Sequence, residues 1–438
     1  MKKRFISLCL ALVLLCTFFA PMTVHAKTTF PTYTVLVLDT SGKHQFYSNN
    51  SLIYTADSAL SEVKTAAGNF SDALLRVNDN HYVAVVAYKG SATTVSGFTQ
   101  DRDLVQRAIK NISNSGDESV NVTSGLDRAH QLLSAVKDNN AVKNVIVFTT
   151  GLSNTGSSSS SGIYDSSTPG SNWYNRSTKI KLYCYANSAI KSAEVLHKYA
   201  NVYSVGLFEN WDDMPSAGQE IVTFFKMFTQ DLANPRENYN PVYNKNDLDY
   251  AFAEICNDII DNPFNDVNYQ KYYFDAVFWA GEEGITTGTS LNSFDPNEIC
   301  TREQMVTFLW RKTGKPAPQD TDTAFTDLQP GSFSYKAILW AEEQGITNGT
   351  SPTTFSPERT VTREQVVTFL WRVDGKPQPG TDVCKFRDVT PGTFSYPAIL
   401  WAQEENITKG TSATTFSPKD PCTRGQIITF MYRYYVEE

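Results

Sequence analysis

Three arginines stand at one interval of 61 residues: Arg302, Arg363 and Arg424. Each directly follows a threonine, and a glutamine comes two residues later, as in Thr301-Arg302-Glu303-Gln304. Threonine followed at the third position by glutamine, just before an apolar run, marks a helix start. The hydroxyl accepts a backbone N–H and the side-chain amide returns the bond. The arginine then falls in the first helical turn, where the dipole is positive and a cation costs about a few tenths of a kcal/mol. An anion at the helix start would offset that cost, drawn by free N–H groups and by the guanidinium. An ion pair to a neighbouring copy, through Asp266, Asp327 or Asp388, would offset it equally well, and the sequence leaves both readings open.

The elements around these arginines recur with them. Phe264, Phe325 and Phe386 keep the interval of 61, as do Trp279, Trp340 and Trp401 and Gly288, Gly349 and Gly410. Residues 325–377 and 386–438 match at 29 of 53 positions without a gap. A repeat of this kind is one supersecondary unit that hides its apolar face against its neighbours. Each copy, 264–316, 325–377 and 386–438, reads helix, loop, helix. In the middle copy, Ser334 to Gln344 is the first helix. The turn Gly345-Ile-Thr-Asn-Gly-Thr-Ser351 follows, and Val366, Phe369, Leu370 and Val373 form the apolar face of the second helix. Three copies of an exposed feature imply three similar sites, hence a multivalent binder.

The copies closely resemble S-layer homology (SLH) domains. Phe-x-Asp, Trp-Ala, Gly-Ile-Thr-x-Gly-Thr-Ser, Thr-Phe-Ser-Pro and Thr-Arg-Glu-Gln-x-x-Thr-Phe-Leu-Trp-Arg occur in order in the middle copy. The resemblance implies an α-helical pseudo-trimer whose grooves hold secondary cell-wall polymer, typically its pyruvylated sugar. It implies that Arg302, Arg363 and Arg424 meet the carboxylate and that Trp279, Trp340 and Trp401 pack on the sugar. The pairs Gly288-Thr289, Gly349-Thr350 and Gly410-Thr411 would approach it closely. The copies depart from the pattern in having Gln as the capping partner, Tyr269-Gln270 in place of a Pro-Gly turn, and Asn406 and Gly425 where the middle copy has Gly345 and Glu364. These departures predict weaker binding at the outer sites.

Residues 32–262 have another rhythm. Tyr33 to Asp39, Tyr82 to Tyr88, Val145 to Thr149 and Asn201 to Leu207 are continuous apolar runs of strand length. Ala56 to Val77, Asp101 to Asn111, Gly125 to Val136 and Asp247 to Ile260 read as helices. Strands buried on both faces and alternating with helices predict a doubly wound, Rossmann-like α/β domain. Leu152 to Lys181 is rich in Ser, Gly and Asn and reads as a loop at the carboxyl edge of the sheet. Tyr164, Trp173 and Tyr174 within it are candidates for a contact surface.

This region resembles a von Willebrand factor A (vWA) domain, in Val35-Leu-Val-Leu-Asp-Thr-Ser-Gly42, Asn121 to Ala129 and Val145 to Gly151. The family usually holds a divalent cation on Asp-x-Ser-x-Ser, a Thr and a second Asp. Here Asp39 and Ser41 match, but Lys43, Val120 and Thr150 stand at the other three positions. The resemblance therefore implies a degenerate metal site, with the Lys43 ammonium reaching towards Asp39. A shifted correspondence would make Ser119 or Thr123 a ligand instead.

Composition narrows the function. Residues 1–26 have a basic start, an apolar core and Val24-His-Ala26, the pattern of a cleaved export signal. Its removal takes the formal charge from −8 to −11, which speaks against nucleic-acid binding. No later stretch is long and apolar enough for a transmembrane anchor. Cys184, Cys256, Cys300, Cys384 and Cys422 form no disulfide or zinc pattern and read as buried apolar residues. No cofactor motif, metalloprotease helix or nucleophile elbow is present, so no enzyme is expected. The sequence predicts a secreted cell-surface protein. Its repeats bind wall polymer, and its first domain binds an unknown protein or macromolecule or self-associates in a lattice.

Overall fold

The structure, a computed structural model, describes residues 30–42, 44–48, 51–56, 59–77, 79–113, 119–165, 168, 176–209, 216–290, 293–320 and 322–437. The expected export signal, Lys43, Trp173 and Tyr174 lie outside the described residues.

The central strand of the first domain is β1 (Thr32–Asp39), a run without polar interruption from Val35 to Leu38. It pairs in parallel with β4 (His81–Tyr88) on one side and β6 (Val142–Thr149) on the other. Beyond β6 come β7 (Asn201–Leu207) and β8 (Tyr239–Val242), both parallel, and β5 (Ala92–Thr99) closes the opposite edge antiparallel to β4. The order is β5-β4-β1-β6-β7-β8. Side chains alternate between faces along each strand. Leu36, Leu38, Val83 and Val85 enter one core layer with α1 (Leu60–Val77), α2 (Arg102–Lys110) and α6 (Leu248–Ile259). Val35, Val37, Ala84 and Val86 enter the other, with α3 (Val122–Ser134), α4 (Arg176–Leu196) and α5 (Ser216–Leu232).

The expected strands are present, and α3 begins three residues earlier than the apolar pattern suggested because Asn121 caps it, its side chain accepting the Ser124 N–H. The hairpin β2 (His44–Ser48) and β3 (Ser51–Ala56), the edge strands β5 and β8, and the helices α4 and α5 were not anticipated, and α4 begins at Arg176 within the stretch expected to be loop. Tyr164 corrects the expected contact surface. It is buried, donates to Asp231 Oδ2 at 2.8 Å and packs edge-on against Phe224. Part of the serine-rich stretch also has fixed partners: Ser159 N–H donates to the Cys184 carbonyl, and Lys191 Nζ lies 2.7 Å from Ser159 Oγ. Cys256, Cys300 and Cys422 are buried as expected, whereas Cys184 and Cys384 are half-buried.

Each repeat supplies two helices: α7 (Phe274–Glu282) and α8 (Arg302–Lys312), α9 (Tyr335–Glu343) and α10 (Arg363–Val373), α11 (Tyr396–Glu404) and α12 (Arg424–Tyr435). The first helix of each copy packs on the second helix of the copy before it: α9 on α8 and α11 on α10. The cycle closes with α7 on α12. At the pseudo-threefold centre three backbone bonds form a ring. Val361 N–H donates to the Cys300 carbonyl, Cys422 N–H to Val361, and Cys300 N–H to Cys422, at 3.0, 2.9 and 3.0 Å.

The first domain docks on copy one. Tyr269 Oη donates to Asp249 Oδ1 at 3.0 Å, and Gln270 donates to the same carboxylate. Arg76 Nε lies 2.9 Å from Asp275. Tyr269-Gln270, the pair that replaces Pro-Gly in copy one, is thus the docking contact.

The turn glycines divide into two kinds. Gly345 has φ 63° with open space where a Cβ would stand, and its counterpart in copy three is Asn406 at φ 57°, a residue that tolerates this region. Gly349 has φ 73°, and a Cβ there would lie 2.4 Å from the Thr354 carbonyl oxygen and 2.5 Å from the Phe325 ring. Gly345→Ala should therefore cost about 1–2 kcal/mol, the left-handed penalty alone. Gly349→Ala should cost clearly more. Urea unfolding of the two variants checks this, and equal losses would mean that the Phe325 ring yields freely.

Candidate functional site

The expected helix starts form in all three copies. Thr301 and Thr423 complete capping boxes with Gln304 and Gln426. In the middle copy Thr362 N–H donates to Gln365 Oε1 at 3.2 Å and the Thr362 side chain faces the Gln365 N–H, forming the same box. The N–H groups of the first turn are not free for an anion, which corrects the sequence reading. Arg302 N–H donates to the Arg359 carbonyl and Glu303 N–H to Pro357, both of the next copy. Arg363 and Glu364 repeat this with Asp420 and Pro418, and Arg424 and Gly425 with Glu298 and Pro296. The neighbouring copy takes the place expected for the anion.

The arginines are buried, at 2%, 4% and 4% exposure for Arg302, Arg363 and Arg424. Arg302 Nε donates to the Phe355 carbonyl at 2.9 Å, and its guanidinium lies over the Phe355 and Phe369 rings at 4.6 and 5.5 Å. Arg363 is held the same way by Phe416 and Phe430, and Arg424 by Phe294 and Phe308. The cation–π contacts and the carbonyl hold each charge beneath the next copy. The alternative ion pair is also not what holds them. Asp266, Asp327 and Asp388 accept backbone N–H groups within their own copies, as Asp327 does from Phe355 and Ser356 at 2.9 and 2.7 Å. One guanidinium nitrogen, Nη2, of Arg302 and of Arg424 is buried with no hydrogen-bond partner. Burial, reinforced by Arg359, pushes Arg302 down to about 10, so it stays charged at neutral pH.

The tryptophans correct a second expectation. Trp340 and Trp401 are 6% and 2% exposed and belong to the core. Trp279 is half-buried against Tyr432 and Tyr435, with Lys312 Nζ 5.2 Å from its ring. None of the three is a free platform for a sugar. Gly288, Gly349 and Gly410 answer to backbone geometry and to the Phe264, Phe325 and Phe386 rings beneath them. Thr289, Thr350 and Thr411 are exposed, and each hydroxyl already reaches its own turn; Thr350 Oγ1, for example, lies 2.7 Å from Ser356 Oγ.

Sequence reasoning missed the aromatics that do face solvent. Tyr272, Phe333 and Phe394 share the interval of 61 and are 62%, 59% and 55% exposed. An aromatic residue recurring inside a short polar turn was the available signal. Phe333 lines a groove of about 590 Å³ between copies one and two, together with Glu303, Ser334, Ser356, Glu358 and Arg359. Glu303 Oε2 accepts from Ser334 Oγ at 2.7 Å.

At the carboxyl edge of the sheet, Asp39 is buried and both its oxygens are occupied. Oδ1 accepts from Ser41 N and Oγ at 3.0 and 2.6 Å, and Oδ2 from Thr150 N and Oγ1 at 3.0 and 2.8 Å. Four donors match the roughly four lone-pair sites of a carboxylate. Val120 is buried and bonds Asn154 through its backbone, and Thr123 Oγ1 is buried without a partner. The expected metal site thus comprises one saturated carboxylate and two hydroxyls turned towards it. Among the described residues no group of three His, Cys, Asp or Glu is placed to hold a metal.

Both halves match known family models. The von Willebrand factor type A domain model matches residues 35–220, and the S-layer homology domain model matches 263–306, 324–367 and 385–428. The chain carries a vWA domain followed by three SLH repeats. An S-layer protein of Bacillus thuringiensis subsp. finitimus is 26% identical over 171 residues, 38% of this chain and 21% of that protein. An endoglucanase of Bacillus sp. (strain KSM-635) is 29% identical over 169 residues, 37% of this chain and 18% of that protein. The chain thus spans about a fifth of the length of these relatives. Among solved structures, the vWF domain of the type V pili tip protein Mfa5 from Porphyromonas gingivalis aligns at a TM-score of 0.40 and 14% identity, covering 53% of this chain and 96% of that one. Pilus adhesin SpaC from Lactobacillus rhamnosus GG aligns at 0.40 and 15%, covering 54% and 31%.

Removing the Asp39 carboxylate takes one acceptor from four donors in a buried loop. Asp39→Ala should lower stability by about 2–4 kcal/mol, read from urea unfolding of the full chain. A loss below about 1 kcal/mol, the net worth of one ordinary hydrogen bond, would mean that the loops re-pair without it.

Proposed function

We propose that the chain is a cell-surface protein whose repeats hold it non-covalently to acidic secondary cell-wall polymer, while the vWA domain faces outward to bind a protein. The observation that carries this reading is the groove between copies one and two, lined by Glu303, Ser334, Arg359 and the exposed Phe333, next in sequence to the buried Arg302, whose Nη2, like that of Arg424, has no hydrogen-bond partner. A carboxylate-bearing sugar supplies what such a site lacks: an acceptor for the spare N–H and a ring to lie on the aromatic. The site belongs to a pair of copies, so the wall sugar meets the arginine of one copy and the turn of the next. Kinship with S-layer proteins of Bacillus thuringiensis and Lysinibacillus sphaericus supports a place at the cell surface. Among the described residues no helix is long and apolar enough to cross a membrane.

The vWA domain, on this reading, engages its partner without a metal ion, because Asp39 is fully hydrogen-bonded by Ser41 and Thr150. It is not read as an enzyme. Among the described residues His130 pairs with Tyr199 Oη and His197 with the Leu232 carbonyl, rather than with a serine or cysteine. The likeness to S-layer proteins favours one second reading, self-association of this domain in a surface lattice. Concentration-dependent assembly in sedimentation velocity would support that reading over partner binding.

Two tests follow. Arg363→Ala should weaken sedimentation with purified wall polymer about tenfold or more, the worth of one charge-assisted hydrogen bond of about 1.5–3 kcal/mol. Arg311→Ala serves as the comparator, since Arg311 donates to the Ile285 carbonyl at a helix end. Both variants are first checked for native melting, and equal weakening would mean that general charge holds the polymer. Separately, magnesium, manganese and chelator should leave the melting temperature unchanged. A ligand that binds only the folded state raises stability, so a magnesium-dependent rise reversed by chelator would overturn the metal-free reading.

A further inference from the structure

The three inter-copy grooves are built on one plan but not from the same residues. In the groove between copies one and two, the residue after the arginine is Glu303, facing Ser334 at 2.7 Å. Between copies two and three it is Glu364, whose Oε2 accepts from Ser395 Oγ at 2.9 Å and whose Oε1 lies 2.5 Å from Lys419 Nζ. Between copies three and one both partners change together. Gly425 takes the glutamate position and Tyr273 the serine position, each 61 residues from its counterpart. A Cβ at Gly425 would stand 3.1 Å from the Tyr273 ring and 3.0 Å from the Pro296 carbonyl oxygen. The bulk of a serine–glutamate pair has been exchanged for a tyrosine–glycine pair, and the phenol, 6% exposed, fills the space.

Charge changes in the same direction. The turn facing Arg424 carries Asp295, Asn297 and Glu298, a formal −2. The corresponding turns carry Ser356, Glu358 and Arg359, and Ser417, Lys419 and Asp420, each summing to zero. Glu303 and Glu364 add one negative charge each to those grooves, but Glu303 is bonded to Ser334, and Glu364 to Ser395 and Lys419. Burial acts first against the charge of both arginines; Asp295 and Asp266 support that of Arg424 against Arg311, and Asp327 supports that of Arg302 against Arg359 and Arg372. Arg302 and Arg424 each keep one Nη2 without a partner, so the grooves differ in their walls rather than in the arginine. The loop that walls the third groove is also occupied elsewhere, since Tyr269 and Gln270 bind Asp249 of the vWA domain.

From these observations we infer that the chain has two working grooves for acidic sugar, at Arg302 and at Arg363. The third, at Arg424, is closed by Tyr273 and serves to seat the vWA domain. This rests on reading the grooves as wall-sugar sites, and it makes the Tyr273–Gly425 pair the determinant that removes one of them.

Isothermal titration of the full chain with a pyruvylated N-acetylhexosamine methyl glycoside tests it. Two equivalents are expected. Phe333→Ala and Phe394→Ala alter exposed aromatics at the two working grooves, so each variant should melt as the parent does and take up one equivalent. The variant Tyr273→Ser/Gly425→Glu/Asp295→Ser copies the first groove into the third and should take up three. Three equivalents in the parent chain would overturn this inference and leave the wall-sugar reading standing. No uptake at all would overturn that reading and this inference with it. Retention of two equivalents by either phenylalanine variant, or by a triple variant that melts normally, would overturn the assignment to these residues.

Discussion

The ring of three backbone bonds among Cys300, Val361 and Cys422 is the constraint on which the repeat half depends. It fixes the three second helices at their starting points. Each helix start then loses its free N–H groups to the turn of the next copy and lays its arginine beneath the next copy's phenylalanine. The ring tolerates only small apolar side chains, which accounts for a valine and two buried cysteines at equivalent positions. Burial pushes both thiols up to about 12, so they stay protonated and inert. A single copy has neither a closed core nor a complete site, because every groove draws on two copies.

The first half is organised by a different economy of polar groups. The strand carboxyl ends converge on Asp39, and the loops after β1 and β6 are pinned by spending their donors on it. The two halves are not strung on a loose linker. Apolar residues of α1 and α6 run into those of copy one in one continuous buried cluster, with the Arg76–Asp275 pair at its rim.

Much of this was legible in the sequence. The parallel strands announced themselves as uninterrupted apolar runs, and the repeats by their constant interval and capping residues. β5 and β8 escaped because edge strands are only half-buried and carry polar residues such as Thr93, Thr94 and Asn240, which blur the pattern. At the site, the arginines were found but their surroundings were misread. A pattern within one copy shows where a helix begins, yet not that another copy's carbonyl occupies its N–H groups. The tryptophans were taken for exposed platforms because aromatic residues serve both cores and sugars. Only the packing of α9 on α8 and α11 on α10 shows that Trp340 and Trp401 belong to the core. The exposed Phe333 and Phe394 carried the same periodic mark and lacked only a reason to be preferred.

The contact of α7 with α12 has a consequence in time rather than in space. Helix α7 begins at Phe274 and finds its partner face only when residues up to Tyr435 are available. During synthesis, nearly all of the repeat half must therefore emerge before its first helix can be buried. Contacts of such long sequence separation form late, since the chain between them must be closed first. A chain stopped before α12 would leave Trp279 without Tyr432 and Tyr435. The first helix of the repeat half is thus buried only after the last has formed.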